Sequence, residues 1–143
     1  MRRFSALLVI LSSLFVIQPA AAFAAQLVAQ VTISTQTMKV IYRGEVIHNW
    51  KVSTARAGKV TPTGSWTPEW LSRNHRSSRY HNAPMPYAIF YNGHYAVHGT
   101  DQIGRLGTPA SAGCIRLHPD NAAKLFALAQ QVGLRNTRIV VRR

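Results

Sequence analysis

The chain has 143 residues, with 17 lysines and arginines against 4 acidic residues and a formal charge of +13 at pH 7. That length excludes a second sizeable domain, and a hydrophobic content of 47% excludes a disordered polycation. The charge points to an anionic partner, whether nucleic acid, lipid headgroups or cell-wall polymer, and the single cysteine, Cys114, excludes an intramolecular disulfide.

At the start of the chain, Arg2 and Arg3 precede an apolar run, "FSALLVILSSLFVI", which ends before Pro19. Ala22-Phe23-Ala24 then offers an A-x-A cleavage site, with Ala20-Ala21-Ala22 as an alternative. A spanning helix needs about 20 apolar residues, and this run is shorter. Residues 1–24 are therefore expected to be a cleaved signal peptide and residues 25–143 one exported domain. Without a cysteine at the cleavage site, a lipid anchor is not expected. Export leaves nucleic acid as the least suitable anionic partner.

"QLVAQVTIS" and "MKVIYRGEVIHNWKVST" alternate apolar and polar residues and predict three strands, with Arg43-Gly44 turning between the second and third. In "GKVTPTGSW", Pro62 and Gly64 exclude a central strand. The polar, basic and aromatic stretch 70–86, "WLSRNHRSSRYHNAPMP", predicts a long surface loop. Such a loop either borders a cleft with Arg73, His75, Arg76, Arg79 and His81 or is simply solvated. "PYAIFYNGHYAVHGT" predicts a hairpin turning at Asn92-Gly93, with His98 at a strand end. "PDNAAKLFALAQQVG" is a helix with Pro119 in its first turn, Asp120 near its positive end and Gly133 as its stop. "TRIVVRR" closes the chain as a strand. About six strands and one helix make the class mainly β, with the helix packed on the strands.

The chemistry concentrates in "HGTDQIGRLGTPASAGCIRL", residues 98–117. A thiol attacks as the thiolate, and a nearby imidazole can take its proton. His98 and Cys114 could meet in the fold, and Gly113 lets the backbone turn so that amide N–H groups face a developing oxyanion. Ser111 and Arg116 complete the candidate set. Against this stands a small buried thiol with no chemistry. Zinc lacks a ligand set here, since no CxxC or HExxH accompanies the one cysteine. His48, His75, His81, His94 and His118 read most simply as surface residues.

"HGT" at 98–100 followed by "SAGCIRL" at 111–117 resembles the signature of the YkuD-type L,D-transpeptidase catalytic domain. Upstream, "MKVIYRGEVIHNWKVSTARAGKVTPTGSW" resembles that family's opening strands and its T-P-x-G turn. The resemblance implies a β-sandwich-like domain that remodels peptidoglycan without metal or cofactor. Its implied nucleophile is Cys114, which would expel the terminal D-alanine of a stem peptide and pass the thioester to an amine, making a 3→3 cross-link. It implies His98 as the base and the backbone of Ala112 and Gly113, with Cys114, as the oxyanion donors. Ser111, Arg116 and Gly99 match positions that support the site or hold a substrate carboxylate. For Arg116 a structural salt bridge remains the alternative.

The sequence departs from the family at Ala112, where histidine often precedes Gly-Cys. Asp101 lies three residues from His98, but the family orients its base with a backbone carbonyl, so Asp101 receives no catalytic role. Three readings follow: a monomeric transpeptidase of the periplasm or cell wall acting on stem peptides, an L,D-carboxypeptidase or amidase on the same substrates, and a non-catalytic cationic wall-binding module.

Overall fold

The computed structural model describes residues 24–143; all of the expected signal peptide but its last residue lies outside the described residues. Two sheets and one helix enclose a shared core. The first sheet has the order β3-β2-β1-β9-β4, and the second β5-β6-β7-β8. In chain order these are β1 (Leu27–Thr32), β2 (Thr37–Tyr42), β3 (Glu45–Lys51), β4 (Gly64–Trp66), β5 (Trp70–Arg76), β6 (Pro84–Asn92), β7 (Tyr95–Gly99), β8 (Ile115–Leu117), α1 (Pro119–Val132) and β9 (Thr137–Arg142). Among these, no helix is long and apolar enough to cross a membrane.

The alternation read in the sequence decides which side chains enter the core. Leu27, Ala29 and Val31 of β1, Met38 and Val40 of β2, and Ile139 and Val141 of β9 all point inward and are buried. From the second sheet come Ile89, Val97, Ile115 and Leu117, and from α1 come Ala122, Leu125, Phe126 and Ala129. Burying each large side chain of this set stabilises the fold by about 1.5–3 kcal/mol. The β2–β3 turn holds Arg43 and Gly44 at φ +48° and +84°, as a two-residue hairpin turn of this twist requires.

Two expectations change. Residues 70–86 are not one long loop: β5 pairs with β6, leaving only residues 77–83 outside the strands. β5 is an edge strand and mostly exposed, so it lacks the apolar alternation that marks a half-buried strand. It is held instead by aromatic contacts, with Trp70 stacked on Phe90 at 3.9 Å and Arg73 lying over Tyr87 and Phe126. Pro84 and Pro86 lie where β6 extends beyond its ladder with β7, so their missing N–H groups break no bond on that side. The β6–β7 turn also centres one residue later than expected, on Gly93-His94, because Asn92 already pairs with Tyr95.

β7 and β8 run parallel, and a parallel pair needs a crossover of about a dozen residues. Residues 100–114 supply it, carrying a short 3-10 turn at Ile103–Arg105. This crossover positions the site.

Candidate active site

In the parallel ladder His98 lies opposite Arg116, and Val97 opposite Ile115. Side chains alternate faces, so Val97 and Ile115 enter the main core while His98 and Arg116 share the other face. Cys114, one residue before β8, falls on that same face and packs against Met85, Ala88, Phe90 and Ala96. The register therefore makes His98 and Cys114 diagonal neighbours. Both line a cavity of about 310 Å³, together with Ser111, Ala112, Gly113, Arg116, Arg56, Arg79, Asp101 and residues of the 77–83 loop.

His98 is 6% exposed, and its Nδ1 lies 2.7 Å from the Gly99 carbonyl. With Nδ1–H donating there, Nε2 is left as the proton acceptor. Burial, opposed by the Gly99 carbonyl and aided by the Arg116 and His75 charges, pushes the imidazole pKa down from 6.5 to about 4. Gly99 itself has no room for a side chain, since a Cβ would lie 3.0 Å from Pro86 and 3.1 Å from Pro119.

The Cys114 thiol is partly buried, and burial raises its pKa. The Ala96 amide, Arg116 and Arg79 pull the other way by favouring the thiolate. Its proton points to the His94 carbonyl at 3.8 Å and not to the His98 ring. Burial thus favours the neutral form of both members of the pair. Hydrogen bonds of this kind often tighten only once substrate is bound.

Ser111 is fully buried and spans the turn before the thiol, its Oγ donating to the Cys114 carbonyl at 2.6 Å and accepting from the Gly113 N–H at 3.0 Å. That bond corrects one expectation: the Gly113 amide is already engaged and does not face the cavity as a free donor. Gly113 sits at φ +140°, where a Cβ would come within 2.8 Å of Tyr95 and 2.9 Å of the Val60 carbonyl. Its role is conformational. Ala112 lines the cavity where a histidine would have added a ring.

Arg116 donates to the Gln102 side chain at 3.0 Å and makes no ion pair among the described residues, although the Asp101 charge acts on it. Of the histidines read as surface, His75 and His94 also line the cavity. His75 is drawn in by its edge contacts with Trp70 and Phe90. His118 caps α1 by accepting from the Asp120 N–H at 3.2 Å. Among the described residues no three His, Cys, Asp or Glu side chains gather as a metal site.

Several supporting residues carry no obvious sign of their role in the sequence. Thr61 accepts from the Ala55 N–H at 3.0 Å and donates to the Gly113 carbonyl at 2.8 Å. Buried Gln36 clasps Thr54 through both ends of its amide, at 2.6 and 2.9 Å. The Thr54 carbonyl in turn accepts from the Ala110 and Ser111 amides. The T-P-x-G motif marks a turn at Thr61 but not its bond to Gly113. For Gln36 there was no signal.

The YkuD family, described as the L,D-transpeptidase catalytic domain, matches residues 26–141. A Bacillus subtilis (strain 168) protein named as the L,D-transpeptidase YkuD is 23% identical over 117 residues, 79% of this chain and 64% of the relative. An Escherichia coli (strain K12) protein named as the L,D-transpeptidase ErfK/SrfK is 34% identical over 93 residues, 57% of this chain and 29% of the relative. Among solved structures, LD transpeptidase LdtMt1 in complex with imipenem aligns with a TM-score of 0.72 at 27% identity, covering 82% of this chain and 59% of that one. An L,D-transpeptidase from Mycobacterium smegmatis aligns with a TM-score of 0.73 at 25% identity, covering 83% and 59%. The chain thus spans less than two thirds of the length of these relatives.

Proposed function

The chain belongs to the YkuD family of L,D-transpeptidase catalytic domains, and from that premise we propose that it is a cysteine L,D-transpeptidase acting on peptidoglycan stem peptides. The observation that carries the reading is the shared cavity: a parallel strand pair brings Cys114 and the carbonyl-oriented His98 onto one face, beside an arginine that makes no ion pair among the described residues.

In this mechanism the donor's terminal D-alanine carboxylate lies on Arg116, with its scissile carbonyl over Cys114. His98 Nε2 takes the thiol proton as sulfur attacks the third residue's carbonyl. The tetrahedral oxyanion is met by the remaining amides of the turn, those of Ala112 and Cys114. Each such donor contributes about 3 kcal/mol to the transition state. Collapse breaks the C–N bond, and the proton on His98 leaves with the D-alanine amine. The thioester then passes to an acceptor amine, giving a 3→3 cross-link. Water in place of the amine would make the protein a carboxypeptidase. The protein acts, on this reading, as an exported monomer whose excess positive charge adds affinity for the anionic wall.

Purified protein incubated with defined tetrapeptide muropeptides should yield cross-linked dimers less one D-alanine per link, identified by mass. Cys114→Ala should yield none, and His98→Gln should be slower by about 10²- to 10⁴-fold. Imipenem, the ligand bound in the LdtMt1 structure, should add one drug mass at Cys114. Wild-type turnover by Cys114→Ala would overturn the mechanism.

A further inference from the structure

Asp101 is the single acidic side chain lining a cavity that also presents Arg56, Arg79 and Arg116. It is exposed, and among the described residues it makes no ion pair. The backbone that carries it is fixed at both ends. Thr100 N–H donates to the Leu117 carbonyl at 2.9 Å, and Gln102 N–H donates to Thr100 Oγ1 at 3.1 Å. The Gln102 side chain then holds Arg116. Asp101 is thus presented from a rigid turn that starts at His98 and ends at the residue bound to Arg116.

Three guanidiniums suit the carboxylates of a stem peptide. They repel the second substrate of a transpeptidase, which arrives as an ammonium ion. A cleft of this sign needs one negative group wherever that cation binds, and the cavity has only Asp101. We propose that Asp101 binds the ammonium of the incoming acceptor and so decides whether the thioester is transferred or hydrolysed. The proposal rests on the transpeptidase reading above. In the step it serves, the bound ammonium first loses one proton to solvent. The neutral nitrogen attacks the thioester carbonyl, its second proton passes to His98 Nε2, the C–S bond breaks, and His98 returns that proton to sulfur. An amide forms and the thiol is regenerated.

The test compares wild type, Asp101→Asn and Asp101→Glu in three measurements: acylation by imipenem, the ratio of cross-linked to hydrolysed tetrapeptide, and release of the acyl group by hydroxylamine, an amine uncharged at neutral pH. Asp101→Asn should raise the acceptor KM about tenfold, the scale of one charge-assisted hydrogen bond, and shift products toward the tripeptide. Hydroxylamine release should stay within about twofold, since it brings no cation to Asp101, and acylation should not fall, since losing the Asp101 charge leaves Arg116 freer for the drug's carboxylate. Asp101→Glu should recover part of the transfer. An unchanged KM and product ratio in Asp101→Asn would overturn the proposal while leaving the transpeptidase reading intact. Equal losses in acylation and transfer would also overturn it, by assigning Asp101 to the donor or to the fold. A wild type that is acylated by imipenem but never transfers to an amine would end both.

Discussion

Acid should destabilise this protein through His98. The ring is 6% exposed, and burial holds its pKa at about 4 against 6.5 outside the fold. Above pH 6.5 the imidazole is neutral in both states and the shift has no effect on stability. As pH falls below that value the unfolded chain binds a proton that the native interior refuses, so stability declines. The decline levels off below about pH 4, after a loss of about 3 kcal/mol. That is a large share of the 5–15 kcal/mol typical of a domain. His98→Gln has no proton to gain and should lack this component. Urea midpoints followed by the fluorescence of Trp50, Trp66 and Trp70, taken between neutral pH and about pH 4, give both profiles. The 4 acidic residues of the chain contribute to both and cancel in the difference. Parallel profiles would refute the reasoning, and with it the view that His98 rests as a neutral base.

Because burial raises the Cys114 pKa, labelling by iodoacetamide should keep accelerating past the ordinary thiol range; a plateau already reached at neutral pH would mean a resting thiolate–imidazolium pair. Ser111→Ala strands the buried Gly113 N–H and frees the Cys114 carbonyl, so urea denaturation should find it about 1–3 kcal/mol less stable and imipenem acylation should slow. Among the basic residues of the former loop region, Arg79 lines the cavity while Arg73 is stacked on Tyr87 and Phe126. Arg79→Gln should therefore weaken stem-peptide binding, most at low salt, whereas Arg73→Gln should lower thermal stability and leave binding alone.

What the sequence revealed depended on whether a physical pattern was local. β1, β2 and β9 bury every second residue, and that alternation could be read directly. α1 carried its proline start and glycine stop in the open. β5 could not be read, because an edge strand held by Trp70–Phe90 stacking need not alternate. β4 and β8, at three residues each, are too short to show a period. At the site, Cys114 and His98 were legible as reactive types flanking one loop. The residues that fix the turn were not, because their partners are remote in the chain: Thr61 lies 52 residues from Gly113, and Gln36 lies 18 from Thr54. The amide of Gly113 shows the same limit. Glycine before a nucleophile says that the turn is tight, whereas the direction of its N–H depends on the Ser111 hydroxyl.

The arginine beside the pair acts on its two members in opposite directions, which leads to a last prediction. The Arg116 charge favours the Cys114 thiolate but disfavours protonated His98. Proton transfer from sulfur to nitrogen is therefore only half assisted while the cavity is empty. A donor carboxylate lying on the guanidinium would cancel the charge that His98 meets, making the imidazole a stronger base at the moment the scissile carbonyl arrives. The same cancellation withdraws the charge that favours the thiolate, so substrate trades thiolate stabilisation for base strength. Arg116→Gln mimics the cancelled charge without supplying the substrate. In the empty variant the His98 ring should titrate at higher pH than in wild type by proton NMR. Imipenem acylation should nevertheless fall, because the drug's carboxylate has lost its partner. A His98 titration that stays where it is in the wild type would show that burial alone sets the basicity of this histidine, and that Arg116 serves only to hold the donor.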